Sequence, residues 1–118
     1  MDNANVMQPS LRVDHLDIGA DERLELAASM VRAGLALMTG LAQIRDRHGR
    51  HVEAIRAIET RLLHEGITSL CAVEAETVAG AAVKARVLHQ DFQDGPTDRF
   101  EELLASRTRD LERLAEAG

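Results

Sequence analysis

No proline interrupts the chain between Pro9 and Pro96, and alanine and leucine dominate that long span. Both favour helix, whereas proline is the residue most disruptive to a helix interior. The β-branched and aromatic residues show little of the alternation that a sheet requires. The span therefore predicts an all-α fold, a small antiparallel bundle of about four helices with an extended N-terminal arm. Its core must be aliphatic, because Phe92 and Phe100 are the only aromatic residues. A chain of 118 residues is the size of one domain. Residues 1–19 form a flexible or extended arm, and 20–118 a single helical domain. Within the arm, Leu11 to Ile18 alternates apolar and polar residues like a short strand. It has no partner strand, so it is expected to lie extended on the bundle.

The first helix starts after Gly19, with Asp21 and Glu22 where carboxylates favour the positive end of the helix dipole. One apolar stripe runs Leu24, Ala28, Val31, Leu35, Met38 and Ala42. A second, beside it, runs Leu26, Met30, Leu37, Leu41 and Ile44. Two stripes make a face wide enough for two neighbours. Gly34 and Gly40 weaken the helix by roughly 1 kcal/mol each relative to alanine, which a closely packed neighbour would justify. A break is expected near Gly49, rather than one helix running on to Glu65. The next helix covers about Arg50 to Leu63 and ends, or kinks, at Gly66. Thr77 is expected to cap a small-residue helix from Val78 to Leu88. Asp94-Gly95-Pro96-Thr97 marks a turn before the last helix, with its stripe of Phe100, Leu103, Leu104, Leu111 and Leu114.

A formal net charge of −6 excludes a generally basic nucleic-acid binder. Arg32 interrupts the most apolar stretch, so no membrane span is expected. The first twenty residues lack the basic head and apolar core of a signal peptide. Cys71, the only cysteine, can form no internal disulfide. A reducing, cytoplasmic setting is the expectation.

His48, His51 and His64 are the candidates for a metal-binding helical bundle. Arg45, Arg47 and Arg50 crowd the His48–His51 pair and oppose a divalent cation, so no metal is expected there. A di-iron bundle needs Glu-x-x-His on two helices, and no glutamate here is followed by a histidine at that spacing. The Arg45–Arg56 patch has no interleaved aromatic for base stacking. A helix-turn-helix-like, DNA-associated regulator is a second alternative: Leu70-Cys71-Ala72 ends one helix, Val73-Glu74-Ala75 turns, and Thr77 opens the recognition helix. That helix must offer polar and basic side chains, and only Lys84 and Arg86 are basic. Cys71, between Leu70 and Ala72, suits an inert thiol better than a nucleophile. No Gly-rich phosphate loop or nucleophile elbow is present. Catalytic residues, cofactors and a small-molecule substrate are therefore not assigned.

Residues 75–86, Ala-Glu-Thr-Val-Ala-Gly-Ala-Ala-Val-Lys-Ala-Arg, resemble a segment of certain small bacterial all-α proteins that carry Ala-x-Thr-x-Ala-Gly-x-x-x-Lys-x-Arg. Those proteins commonly end in a stretch like Leu104 to Leu114. The resemblance covers about the last half of the chain. It implies a helical fold and a bacterial origin, and brings no activity with it. By its residues the motif is structural: Thr77 caps, Ala79 and Gly80 admit a neighbouring helix, and Lys84 and Arg86 face water. The expected role is a non-enzymatic protein–protein interaction or structural module. The expected partner is a second copy or another protein, at a surface including Leu24, Val31, Leu35, Met38, Ala79 and Gly80.

Overall fold

The computed structural model describes residues 12–44, 51–91 and 98–117. All regular structure among them is helical. Helix α1 (Ala20–Gln43) begins after Gly19, whose backbone is extended, and carries Asp21 and Glu22 in its first turn. It ends at Ile44, again extended, with the Ile44 amide donating to the Leu41 carbonyl. One helix running on to Glu65 is therefore excluded, and the break precedes Gly49, which itself lies outside the described residues.

The second rod comprises α2 (His51–Ile58), a π-helical segment (Glu59–His64) and α3 (Glu65–Ala72). Ile58, His64 and Glu65 all keep helical dihedrals at the junctions, so the rod is continuous. Gly66 does not end it. Gly66 instead lies where α3 meets α1: a Cβ there would stand 3.0 Å from Val31 Cγ2 and 3.2 Å from the Ala27 carbonyl oxygen. Gly34 does the same from the other side, where a Cβ would stand 3.1 Å from Leu62 Cβ. Close approach explains both glycines. It does not explain Gly40, around which nothing lies within 4 Å of a Cβ position.

Helix α4 (Val78–Arg86) runs on into a π-helical segment (Val87–Asp91), and α5 (Asp98–Ala117) completes four rods among the described residues. Thr77 is the cap: its backbone is extended and its hydroxyl accepts from the Gly80 amide. The expected turn at 94–97 lies outside the described residues. Helix α1 packs on α3 and α4, and α5 on the same two helices. Leu24, Val31, Leu70, Val87 and Leu103 are fully buried at the centre. Burying one such side chain stabilises by roughly 1.5–3 kcal/mol. The α5 stripe departs from its reading, because Leu104 and Leu111 are exposed. The inward positions after Leu103 are Ser106 and Asp110.

Residues 12–18 turn against the bundle rather than run extended, with the Leu16 amide bonded to the Val13 carbonyl. Asp14 anchors them from a buried position. Its carboxylate accepts from Arg12 Nε (3.0 Å) and Nη2 (2.6 Å), and from the Ser69 hydroxyl (3.2 Å). Its carbonyl accepts from Arg23 (2.7 Å), and the Val13 amide donates to Ser69 Oγ (3.0 Å). Burial pushes the Asp14 carboxyl up, but the Arg12 hydrogen bonds and charge outweigh it and hold the group below its ordinary value.

Candidate functional site

The five residues between α3 and α4 are held from two sides. On the α1 side, two helix N-termini cap each other. The Ala20 amide at the start of α1 donates to Glu76 Oε1 (3.1 Å). In return, Asp21 accepts from the Glu76 amide (2.9 Å) and the Thr77 hydroxyl (2.6 Å). Both acids sit where helix dipoles favour negative charge, and orphan amides find partners across the fold. Gly80 is required by this meeting. A Cβ there would fall 2.1 Å from Asp21 Oδ1 and 3.1 Å from Ala75 Cβ.

On the α5 side stands a buried lysine. Lys84 is fully buried, which overturns its reading as a solvated residue. Its ammonium donates to the Val73 carbonyl (2.8 Å) and to Ser106 Oγ (2.8 Å), and pairs with Asp110 Oδ2 at 2.6 Å. The Ser106 hydroxyl in turn donates a hydrogen bond to the Cys71 carbonyl (3.3 Å). Arg113 donates to the Ala75 carbonyl and lies 3.4 Å from Asp110 Oδ1. The carbonyls of Cys71, Val73 and Ala75, left over where α3 ends, are thus satisfied by Ser106, Lys84 and Arg113. A buried charge is tolerated only when paired and hydrogen-bonded in this way. Arg86, by contrast, is exposed and pairs with Glu25 at 3.2 Å.

The arrangement limits the chemistry. Ser106 and Lys84 have the spacing of a nucleophile and its base, but Lys84 already meets three acceptors, one of them a carboxylate. A base must offer a lone pair to the hydroxyl. Burial and the charge of Glu102 push the Cys71 thiol up to about 11, so it is neither a thiolate nor a ready nucleophile at neutral pH. Between the end of α3 and α5 lies a pocket of about 300 Å³, lined in part by Cys71, Glu74, Ser106, Arg109, Asp110 and Arg113.

The residues expected at an interface are placed differently from one another. Leu24 and Val31 are fully buried in the chain's own core, and Leu35 and Met38 pack partly buried against it. Gly80 is buried under Asp21, and Ala79 is exposed. The first α1 stripe thus serves the intramolecular core, because α3 and α4 cover that face. The apolar area left open is the opposite stripe, with Leu26 at 43%, Leu37 at 51% and Ile44 at 60% exposure. By length and composition α1 is also long and apolar enough to cross a membrane.

Of the histidines, His48 lies outside the described residues, as do Arg45, Arg47 and Arg50. His64 stands 4.0 Å from Glu59. Among the described residues no three His, Cys, Asp or Glu side chains converge as metal ligands do. Helix α3 ends at Ala72 and α4 opens after Thr77, the boundaries that the helix-turn-helix reading used. The outer face of α4, however, presents Val78, Ala79, Ala82 and Arg86, with little to read a base edge.

No protein family, curated protein or solved structure matches the chain.

Sequence reasoning missed the Lys84–Ser106–Asp110 cluster, although periodicity carries a signal for it. Lys84 follows Ala81 by three and precedes Leu88 by four, on the buried side of its helix. Ser106 and Asp110 fill the same phase between Leu103 and Leu114. Opposite charges in phase on two inward faces are a pairing signal that tracing apolar residues alone passes over.

Proposed function

We propose that the chain is a non-enzymatic helical interaction module that pairs with a second copy of itself through the outer stripe of α1. The observation that carries this reading is the spacing of the residues along that side, of which Leu26, Ala33, Leu37 and Ile44 are exposed and Met30 and Gly40 half-buried. Leu26, Met30, Ala33, Leu37, Gly40 and Ile44 follow one another by alternating steps of four and three. That is the seam of a two-helix coiled coil. The small residues Ala33 and Gly40 permit close approach, and the open space around Gly40 leaves room for a knob from the facing helix. From Leu26 to Ile44 the only charged residue is Arg32, which lies off the stripe. A partner selected by charge would find nothing to read. Among the described residues the apolar helix of matching repeat is α1 itself, and a two-fold pairing places the same stripe on both sides.

Sedimentation equilibrium across micromolar concentrations tests this. The expected result is a dimer that Leu37→Lys converts to a monomer. Because Leu37 is exposed in the single chain, its folding stability should change by no more than about 0.5 kcal/mol. A monomer at every concentration overturns the reading. If that monomer floats with phosphatidylcholine vesicles and the Leu37→Lys variant does not, the stripe meets lipid instead.

A further inference from the structure

Arg109 and Arg113 stand one helical turn apart on α5, and both line the pocket of about 300 Å³ beside the end of α3. Their situations differ. Arg113 is engaged by the Ala75 carbonyl and by Asp110, and its Nε lies 3.4 Å from Glu74 Oε2. Arg109 is exposed and has no hydrogen bond or ion pair among the described residues. Two arginines, Arg109 and Arg113, thus face two carboxylates, Glu74 and Asp110, and Asp110 is also paired with the buried Lys84 behind the pocket wall. The lining is charge-balanced, and Arg109 is the cation in it that has no carboxylate partner among the described residues.

The two carboxylates are not equivalent. Asp110 is buried and shared between Lys84 and Arg113. The Glu74 side chain is 78% exposed, and its one ion pair is to Arg113. It stands where an external carboxylate would bind and is free to swing into water. The negative end of α3 offers little opposition, because the Cys71 and Val73 carbonyls are already satisfied by Ser106 and Lys84. The Cys71 thiol on the pocket wall is neutral at neutral pH and does not repel an anion.

We propose that this pocket binds a small anion bearing a carboxylate or phosphate group, with Arg109 and Arg113 as its cationic ligands and Glu74 as an internal carboxylate that competes for Arg113. The planar arginine fork matches both oxyanions, and two forks one turn apart hold one group from two directions. The volume sits at the small end of ligand sites, which restricts the ligand to a few heavy atoms beyond the anionic group.

The test is an amide-resolved NMR titration of the full chain with sodium phosphate and, separately, sodium acetate, with ionic strength held constant by sodium chloride. The expected result is saturable shifts confined to residues 71–74 and 106–113, and the anion that saturates first identifies the preferred group. Arg109→Gln should weaken binding about tenfold or more, the loss expected for a hydrogen bond to a charged group. Glu74→Gln should tighten it several-fold. Both residues are exposed, so both variants keep the fold. Linear shifts with both anions, or saturable binding that Arg109→Gln leaves unchanged, overturn the site. Binding weakened by Glu74→Gln overturns the competition and shows that glutamate to be a ligand contact.

Discussion

The two ends of this molecule's polarity are reversed. At the α3–α4–α5 junction a lysine and an aspartate lie in the core, 2.6 Å apart and closed off from water. Along the outer side of α1, three large aliphatic side chains, Leu26, Leu37 and Ile44, stand in solvent. The comparison separates what a residue is from what its position requires. Lys84 is inside because three orphan carbonyls needed donors and α4 carries one in the right phase. The outer α1 leucines are outside because α3 and α4 can cover only one side of a helix. The buried charge is structural by its saturation with partners. The exposed aliphatic stripe has no covering element among the described residues, and is the surface that the proposed self-association would use.

The strongest way to break this contrast is at Lys84. Lys84→Met leaves the buried Asp110 with only its 3.4 Å contact to Arg113 and should cost about 3 kcal/mol, because the close partner of a buried charge is lost. Adding Asp110→Leu should restore most of that loss. Urea denaturation of the two variants measures both effects. A single variant that loses less than 1 kcal/mol would show the pair to be solvated, and the contrast with α1 would collapse.

Gly80 tests the opposite side of the same loop. Gly80→Leu gains close to 1 kcal/mol of helix propensity. It must also displace the Asp21 carboxylate from the Glu76 amide and the Thr77 hydroxyl, and overpacking of this kind costs about 1–3 kcal/mol. Overpacking should win, with Gly80→Ala milder. Thermal melts decide it: a leucine variant at least as stable as the parent would remove the close contact between the two helix N-termini.

The smallest effect is expected at the arm. The Asp14 carboxyl lies below its ordinary value in the folded chain, so its contribution is present above the unfolded-state value near 4 and is lost as pH falls through the folded value. Its Arg12 partner is partly exposed, which limits the effect to about 1 kcal/mol or less. Asp14→Asn should therefore melt slightly below the parent at pH 6, and the gap should close below pH 4. A gap that is constant over that range would mean that the arm is held by Ser69 and backbone bonds alone.

Much of the fold was legible where the cause is local. Thr77 caps because a hydroxyl accepts an amide three residues on, and the acids that open α1 answer its own dipole. Gly34 announced a close neighbour correctly, yet Gly40 carried the same signal and faces open space. A glycine's cost in a helix is local, but its justification is a contact far away in sequence. The same limit hid the pocket. Cys71 and Glu74 are more than thirty residues from Arg109 and Arg113, and only the packing of α5 beside the end of α3 brings them together.

By itself, the sequence determined that this chain is helical, that its core is aliphatic, where α4 starts, and that α1 bears apolar residues on two sides. Those properties follow from backbone propensity, capping and periodicity, all of which act within a few residues. The tertiary structure alone decided which side of α1 is buried, that Lys84 lies inside with Asp110, and that Asp21 and Glu76 cap each other's helices. Each of these is a choice among groups distant along the chain. It is settled by which surfaces can be covered together and which buried polar atoms can find partners there.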